Sequence, residues 1–562
     1  MKQICNISEV KQKQLLDLAD VLNFFRKRTR DSKLEVAEKI AHTLELIKTI
    51  EVGSLVDWLD DNRGQLTKEK SKSKAVKAPV NTMTGSTAAK AQTMPVIETD
   101  QPVIVTSAQN NTACSSVFNQ LKALAEFLNA KLIVLPVYYN KTAYAPSVES
   151  EDERFNDAVK PYLVDADTWL FKRGAVRLAA EAAVLPTAKL PINAAAALLS
   201  NGEQFCVVPS PKQQYKTLPT LDSSNIPKAW TTGGCTQFNY VRGRAGSEAE
   251  QQHVFGGVLF TQDDSGAINS TNIRQADDGT INLYLAETRE LIQVGADLFV
   301  SSVEPRTAQC KLGDLHCEVY DPVQWSKALD LVSSVKPAFV AVDDVLHFST
   351  RSHHNRNNAK HLYVSRNESV ENDLRQVINQ LNELAAIVPV FVTESNHNSA
   401  LDNWIHDTSL KIDYDSHNAK LYHLIKWLVM DSLDEGHHDK NALEVALSQA
   451  DLTNLPELSE RVEFGRMDVP KIGVKYDCSQ HGHKGQNGSA ANPNQMSKWG
   501  LFLITGHTHS PSIIGNVFTT GVAGKLNQGY NRGGASSWDH AHVIEHYNGE
   551  CQLINTNNQV AK

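Results

Sequence analysis

The sequence predicts an α/β protein built on a mostly parallel, buried sheet, and three observations predict it. First, "PVIVTSA", "SSVFNQLKALAEFLNA" and "KLIVLPVYY" follow one another from residue 102 to 139: an apolar run, an amphipathic segment opened by serines, and a second apolar run. That is the order of a βαβ unit, and continuous apolar runs suit strands covered on both faces. Second, after residue 300 four apolar runs each end in a cluster of Asp, Asn or His: "CKLGDLH", "PAFVAVDDVLH", "PVFVTESNH" and "LFLITGHTH". In open α/β sheets, sites form past the carboxyl ends of strands where loops converge, so four such endings can supply one site. Third, no run of 18 or more apolar residues occurs, which argues against a membrane-spanning helix.

The elements follow in order. Residues 1–65 carry "VKQKQLLDLADVLNFF" and "KLEVAEKIAHTLELIKTI", whose apolar residues recur at intervals of three and four, and predict a small helical domain. Residues 66–98 turn to Lys, Ser, Thr, Ala and Pro with little to bury, and predict a flexible basic linker. Residues 99–298 open with the βαβ unit and continue through shorter, turn-rich runs ("FCVVPSP", "HVFGGVLF", "INLYLAE"), an α/β and β-rich region. Neither GxGxxG nor GxxxxGK[ST] occurs, which disfavours nucleotide binding of the Rossmann or P-loop kind. Residues 299–562 hold the four clustered endings and form the expected catalytic domain.

A chain of 562 residues exceeds one ordinary core. Hydrophobic content of 41% and charged content of 21% are those of a globular protein, and the net charge of −9 argues against a uniformly basic nucleic-acid coat. Eight cysteines lie scattered without CxxC pairs, so neither a zinc ribbon nor a disulfide framework is indicated. With no apolar segment in "MKQICNISEVKQKQ", the expected location is cytoplasmic, away from any membrane.

The polar clusters are Asp314 and His316; Asp343, Asp344 and His347; Asn396 and His397; His481 and His483 of "SQHGHKGQNGS"; and His507 and His509. Carboxylate, imidazole and amide oxygen suit a borderline-hard divalent cation. Two such cations take about seven ligands, one of them a bridging carboxylate. One DxH or HxH alone is weak; five motifs in sequence order, four of them after apolar runs, are specific.

That ordered set (DxH, D, NH, H, GHxH) resembles the calcineurin-like metallophosphoesterase superfamily. "TSAQNNT", "TTGGCTQFNY", "HFSTRSHHN", "SNHNSALDNWI", "HGHKGQNGS" and "GHTHSP" resemble a phage-encoded branch of it, which includes the pre-early nuclease that T-odd coliphages use to destroy host DNA. The similarity runs from about residue 100 to the C-terminus and implies a four-layer αββα sandwich for residues 299–562. It implies that Asp314, His316 and His509 bind one metal, that Asn396, His481 and His507 bind a second, and that Asp344 bridges them. Asp343 stands where the family usually has glycine and is the alternative bridge; His483 is the alternative to His481. His397 would stabilise the transition state or protonate the leaving oxygen. Its neighbour Asn398 replaces an expected acidic residue, which is expected to weaken a hydrogen bond orienting the histidine. Arg351, His353, His354 and Arg356 of "RSHHNR" are candidate DNA-backbone contacts, and "EGHHDKN" at 435–441 reads as an exposed loop.

The resemblance implies a DNase that uses two divalent metal ions, Mn²⁺ first, with Zn²⁺, Fe²⁺ or Mg²⁺ as alternatives. Its partners would be host DNA and further copies of itself in a homo-oligomer, with a host protein as a possible partner of the N-terminal region. The rival readings are a phosphatase or cyclic-nucleotide phosphodiesterase acting on a small molecule, and a binding scaffold with a weakened active site.

Overall fold

The computed structural model describes residues 94–139, 155–171, 175–199, 204–351, 359–365, 368–406, 418–438, 440–529, 531–557 and 559–560. The expected helical domain, the linker up to residue 93, and His353, His354 and Arg356 lie outside the described residues. The last part of the expected linker is structured: Val96–Ile97 is a strand paired in parallel with Thr168–Leu170.

The sheet that positions the site has six strands, in the spatial order Val462–Phe464, Val390–Val392, Val340–Val342, Thr307–Lys311, Ala541–His546 and Cys551–Asn555. The first four are mutually parallel, and Ala541–His546 runs antiparallel to both its neighbours, Thr307–Lys311 and Cys551–Asn555. Parallel neighbours need long crossovers, which are supplied by helices such as Pro322–Val335 and Val370–Ile387. Asp321 starts the first of these: its carboxylate accepts from the Val323 and Gln324 backbone N–H groups, and Pro322 occupies the first turn. In the second, Val370, Leu374, Val377, Ile378, Leu381 and Leu384 recur at helical spacing and are buried.

Alternation along each strand divides two cores. Val340, Val342, Val390 and Val392 pack with Leu331, Val332, Ile378 and Leu381 of those helices. Ala341 and Phe391, from the intervening positions, face the other way and join Ile504, Ile513, Phe518, Val207 and Trp230 of a nine-stranded sheet. The far side of that sheet buries Cys206, Val208 and Ala229 against Ile192 and Ala195 of the helix Ile192–Leu198. The order is helix, sheet, sheet, helix, an α/β architecture with mixed sheets.

The βαβ unit expected at 102–139 is present. Val103–Gln109 pairs in parallel with Lys131–Val137, and the connecting helix Ser116–Phe127 packs Val117, Phe118 and Leu121 against Ile104 and Val134. The nine-stranded sheet takes strands from both sides of residue 298, with Tyr215 opposite Ile513, and residues Thr93–Lys562 form one compact unit. A continuous sheet therefore crosses the boundary expected near 298. Among the described residues, no helix is long and apolar enough to cross a membrane.

Candidate metal centre

The parallel strands Thr307–Lys311, Val340–Val342 and Val390–Val392 end on the same side of the six-stranded sheet. The segments following them carry Asp314 and His316, Asp343 and Asp344, and Asn396 and His397. The first two run side by side: the Leu315 and His316 backbone N–H groups donate to the Asp343 and Asp344 carbonyls at 3.1 and 2.8 Å. The fourth apolar run, Leu503–Thr505, belongs to the facing nine-stranded sheet. Its end is joined to the His481 loop by the Gly506 N–H, which donates to the His481 carbonyl at 2.8 Å. The site is thus assembled between two sheets, rather than along the edge of one.

Four candidate ligands have backbone φ in the left-handed region: His316 (48°), Asp344 (43°), His507 (71°) and His509 (55°). None is a glycine, and such angles cost of order 1–3 kcal/mol each unless the surroundings enforce them. They break the extended backbone at the point where the candidate ligands gather.

At that point Asp314, His316, Asp344 and His509, all buried, offer ligand atoms within 4.8 Å of one another. His509 Nε2 lies 3.0 Å from both Asp314 Oδ2 and His316 Nε2. His481 Nε2 lies 3.0 Å from Asn396 Oδ1 and 3.3 Å from Asp344 Oδ2. Asp344 Oδ2 is also 3.9 Å from His316 Nε2, so this carboxylate stands between the two groups. The His507 ring packs against His481 with centroids 5.1 Å apart, and its backbone N–H donates to Asp314 Oδ2. His483 packs outside His481 and His507.

The donor set fits divalent cations. Asp314, Asp343 and Asp344 are buried, and the only fixed cation in contact with them among the described residues is Lys311. Such uncompensated buried charge is costly unless a counter-ion is supplied. Burial lowers the His481 imidazole, but Asp344 and Asp343 outweigh it and hold His481 well above its ordinary value. Burial, with His397 and His509 beside it, pushes His316 well below its ordinary value, leaving a neutral ring with a lone pair to offer. Asp314 Oδ1 and His509 Nδ1 are buried without a hydrogen-bond partner.

His397 lies at the rim of the cluster, its backbone N–H donating to Asp344 Oδ1 at 3.3 Å. Its Nδ1 is 3.1 Å from the His347 carbonyl, and its ring stacks on that of His347 at 14°. Asn398, where the resemblance expects an acid, makes hydrogen bonds to the backbone. Asn398 accepts from the Leu346 N–H and donates to the Thr393 carbonyl, tying two strand ends together. A carboxylate could not make the second of these bonds. Arg351 is half-buried, and its guanidinium donates to the Thr350 carbonyl on the loop following the bridging segment. His437 and His438 of "EGHHDKN" are exposed, as expected.

His347, named among the polar clusters without a role, and two residues that were not anticipated, Glu318 and Lys311, support the site. His347 Nδ1 lies 3.2 Å from His316 Nδ1. Both carboxylate oxygens of Glu318 accept backbone N–H groups, from His347 and Phe348, and clamp the loop after Asp344. Lys311 is a fully buried ammonium within an otherwise uncharged strand. A lysine at the end of a buried run, three residues before an aspartate, was the visible signal for it.

Gly506 is required by space. A Cβ there would stand 2.1 Å from Asp314 Oδ1 and 2.7 Å from Asp343 Oδ2. Gly506→Ala is expected to displace the Asp314 carboxylate and cost about 1–3 kcal/mol of stability. Thermal unfolding checks it; a wild-type unfolding temperature would show that the strand end has slack.

No family model matches the chain, and no solved structure matches it. Protein A1 of Escherichia phage T5 is 30% identical over 565 residues, an alignment covering 98% of this chain and 99% of that protein. The alignment runs over practically the full length of both proteins, and the chain belongs to the family of Protein A1 of Escherichia phage T5.

Proposed function

We propose that this protein is a dinuclear metal-dependent deoxyribonuclease of the calcineurin-like metallophosphoesterase type, which hydrolyses phosphodiester bonds of host DNA in the cytoplasm of an infected cell. The observation that carries this reading is the place of Asp344, with one carboxylate oxygen facing both His316 and His481. Asp314, His316 and His509 would hold one cation, Asn396, His481 and His507 the other, with Asp344 shared. Cations so placed supply Lewis acidity toward a phosphate diester and its attacking water. Mn²⁺ is the proposed ion.

The chain's own groups do the rest. Hydrogen bonds from the His397 and His507 N–H groups fix Asp344 and Asp314. His397 stands beside the ligands, with its ring set by the His347 carbonyl, and would protonate the leaving 3′ or 5′ oxygen. The choice of DNA rests on the motif resemblance, and the similarity to a phage protein is in keeping with it.

The test uses the full chain with Mn²⁺ on supercoiled plasmid, linear duplex and bis(p-nitrophenyl) phosphate, with and without a chelator. Chelator-sensitive degradation of the DNA substrates is expected. Hydrolysis of the small ester alone would overturn the DNA assignment, and no metal-dependent hydrolysis of any substrate would overturn the enzyme reading.

A further inference from the structure

Asp343, immediately before the shared carboxylate, is an extra buried acid in a centre that already contains two others. Its oxygen Oδ2 lies 2.9 Å from Lys311 Nζ and 3.3 Å from His481 Nδ1. The same ammonium donates to the carbonyls of Cys478 at 2.8 Å and Gln480 at 3.4 Å, on the segment leading into His481. All three side chains are fully buried. Lys311 therefore holds the His481 loop directly through two carbonyls, and it pairs with the Asp343 oxygen that stands 3.3 Å from the imidazole.

Asp343 also lies close enough to Asp314 and His481 to be read as a ligand itself. Two features weigh against that. The oxygen facing His481 already faces an ammonium at 2.9 Å, and a cation added there would be repelled by it. Moreover, the imidazole atom facing Asp343 is Nδ1, whereas Nε2 faces Asn396 and Asp344. A histidine ligand whose second nitrogen faces a carboxylate has its tautomer and ring orientation set by that partner.

Resting on the dinuclear reading above, we propose that Lys311 and Asp343 form a clamp behind His481: Asp343 is a positioning residue that holds Nδ1–H and so presents Nε2 to one of the two cations. Lys311 neutralises Asp343 and anchors the loop, which is what allows an acid at this position.

The test measures Mn²⁺ binding by calorimetry, and thermal unfolding in chelator, for wild type, Asp343→Asn, Lys311→Met and the double variant. Wild type should bind two Mn²⁺. Asp343→Asn should keep both sites but weaken one by about 10- to 100-fold. Lys311→Met should lower the unfolding temperature of the metal-free protein, because it leaves Asp343 buried and unpaired. The double variant should recover that temperature but not the Mn²⁺ affinity.

Complete loss of one Mn²⁺ in Asp343→Asn would make Asp343 a ligand and overturn the clamp, as would unchanged affinity at both sites. An additive double variant, with no recovery of unfolding temperature, would also overturn it. If wild type binds no Mn²⁺, the dinuclear reading fails as well; two wild-type sites with an indifferent Asp343→Asn would sink the clamp alone.

Discussion

Asp344→Ala is expected to abolish Mn²⁺-dependent DNA cleavage, lowering it by at least about 10³-fold, and to reduce the bound Mn²⁺ below two per chain. The carboxylate faces both groups of histidines: its Oδ2 is 3.3 Å from His481 Nε2 and 3.9 Å from His316 Nε2, while Oδ1 accepts from the His397 N–H. Burial raises this acid, but His481 and His397 outweigh it and keep it well below the usual carboxylate range, so it is present as an anion. No neighbour can replace it. Asp343 is engaged by Lys311, and Asp314 faces His509. Plasmid degradation with parallel Mn²⁺ titration measures both effects. Full cleavage by the variant would refute Asp344 as the shared ligand.

His397→Ala should separate chemistry from metal binding. A general acid contributes about 10² to 10⁴-fold, so DNA cleavage should fall by that amount while two Mn²⁺ still bind. The hydrogen bond from His397 to Asp344 comes from its backbone N–H, which alanine retains. Its side chain meets the His347 carbonyl and ring and packs edge-on against the His316 ring, with centroids 4.7 Å apart. The loss should be smaller on bis(p-nitrophenyl) phosphate, whose leaving group needs no proton, than on DNA. Equal losses on both substrates would assign His397 to transition-state contact rather than to protonation of the leaving oxygen. An unaffected rate on DNA would remove it from the mechanism.

The environment of Asn398 explains how the centre accommodates a departure from the motif pattern. The role expected of an acid there, fixing the histidine, falls to the His347 carbonyl. Asn398 instead joins the Leu346 N–H to the Thr393 carbonyl and so ties together the two strand ends that carry Asp344 and His397. Motif matching alone could not find this, because it depends on which backbone groups the fold leaves unpaired nearby.

The amino-acid sequence by itself determined the local elements: the βαβ unit at 102–139, the buried apolar runs, and the Asp, Asn and His residues at their ends. Those features are local, set by side-chain periodicity and by where an apolar run stops. Only the tertiary structure decided where those ends go. "LFLITGHTH" has the same texture as "PVFVTESNH", yet its strand lies in the facing sheet, and His507 and His509 approach the centre from the other side. Likewise, Asp343 and Asp344 are adjacent and chemically identical. What separates them is the φ of 43° at Asp344 and a lysine 32 positions earlier, which the neighbouring strand brings to 2.9 Å from Asp343. Backbone turns past a strand end, and charge pairs between strands, depend on contacts distant in sequence; no run of residues encodes them alone.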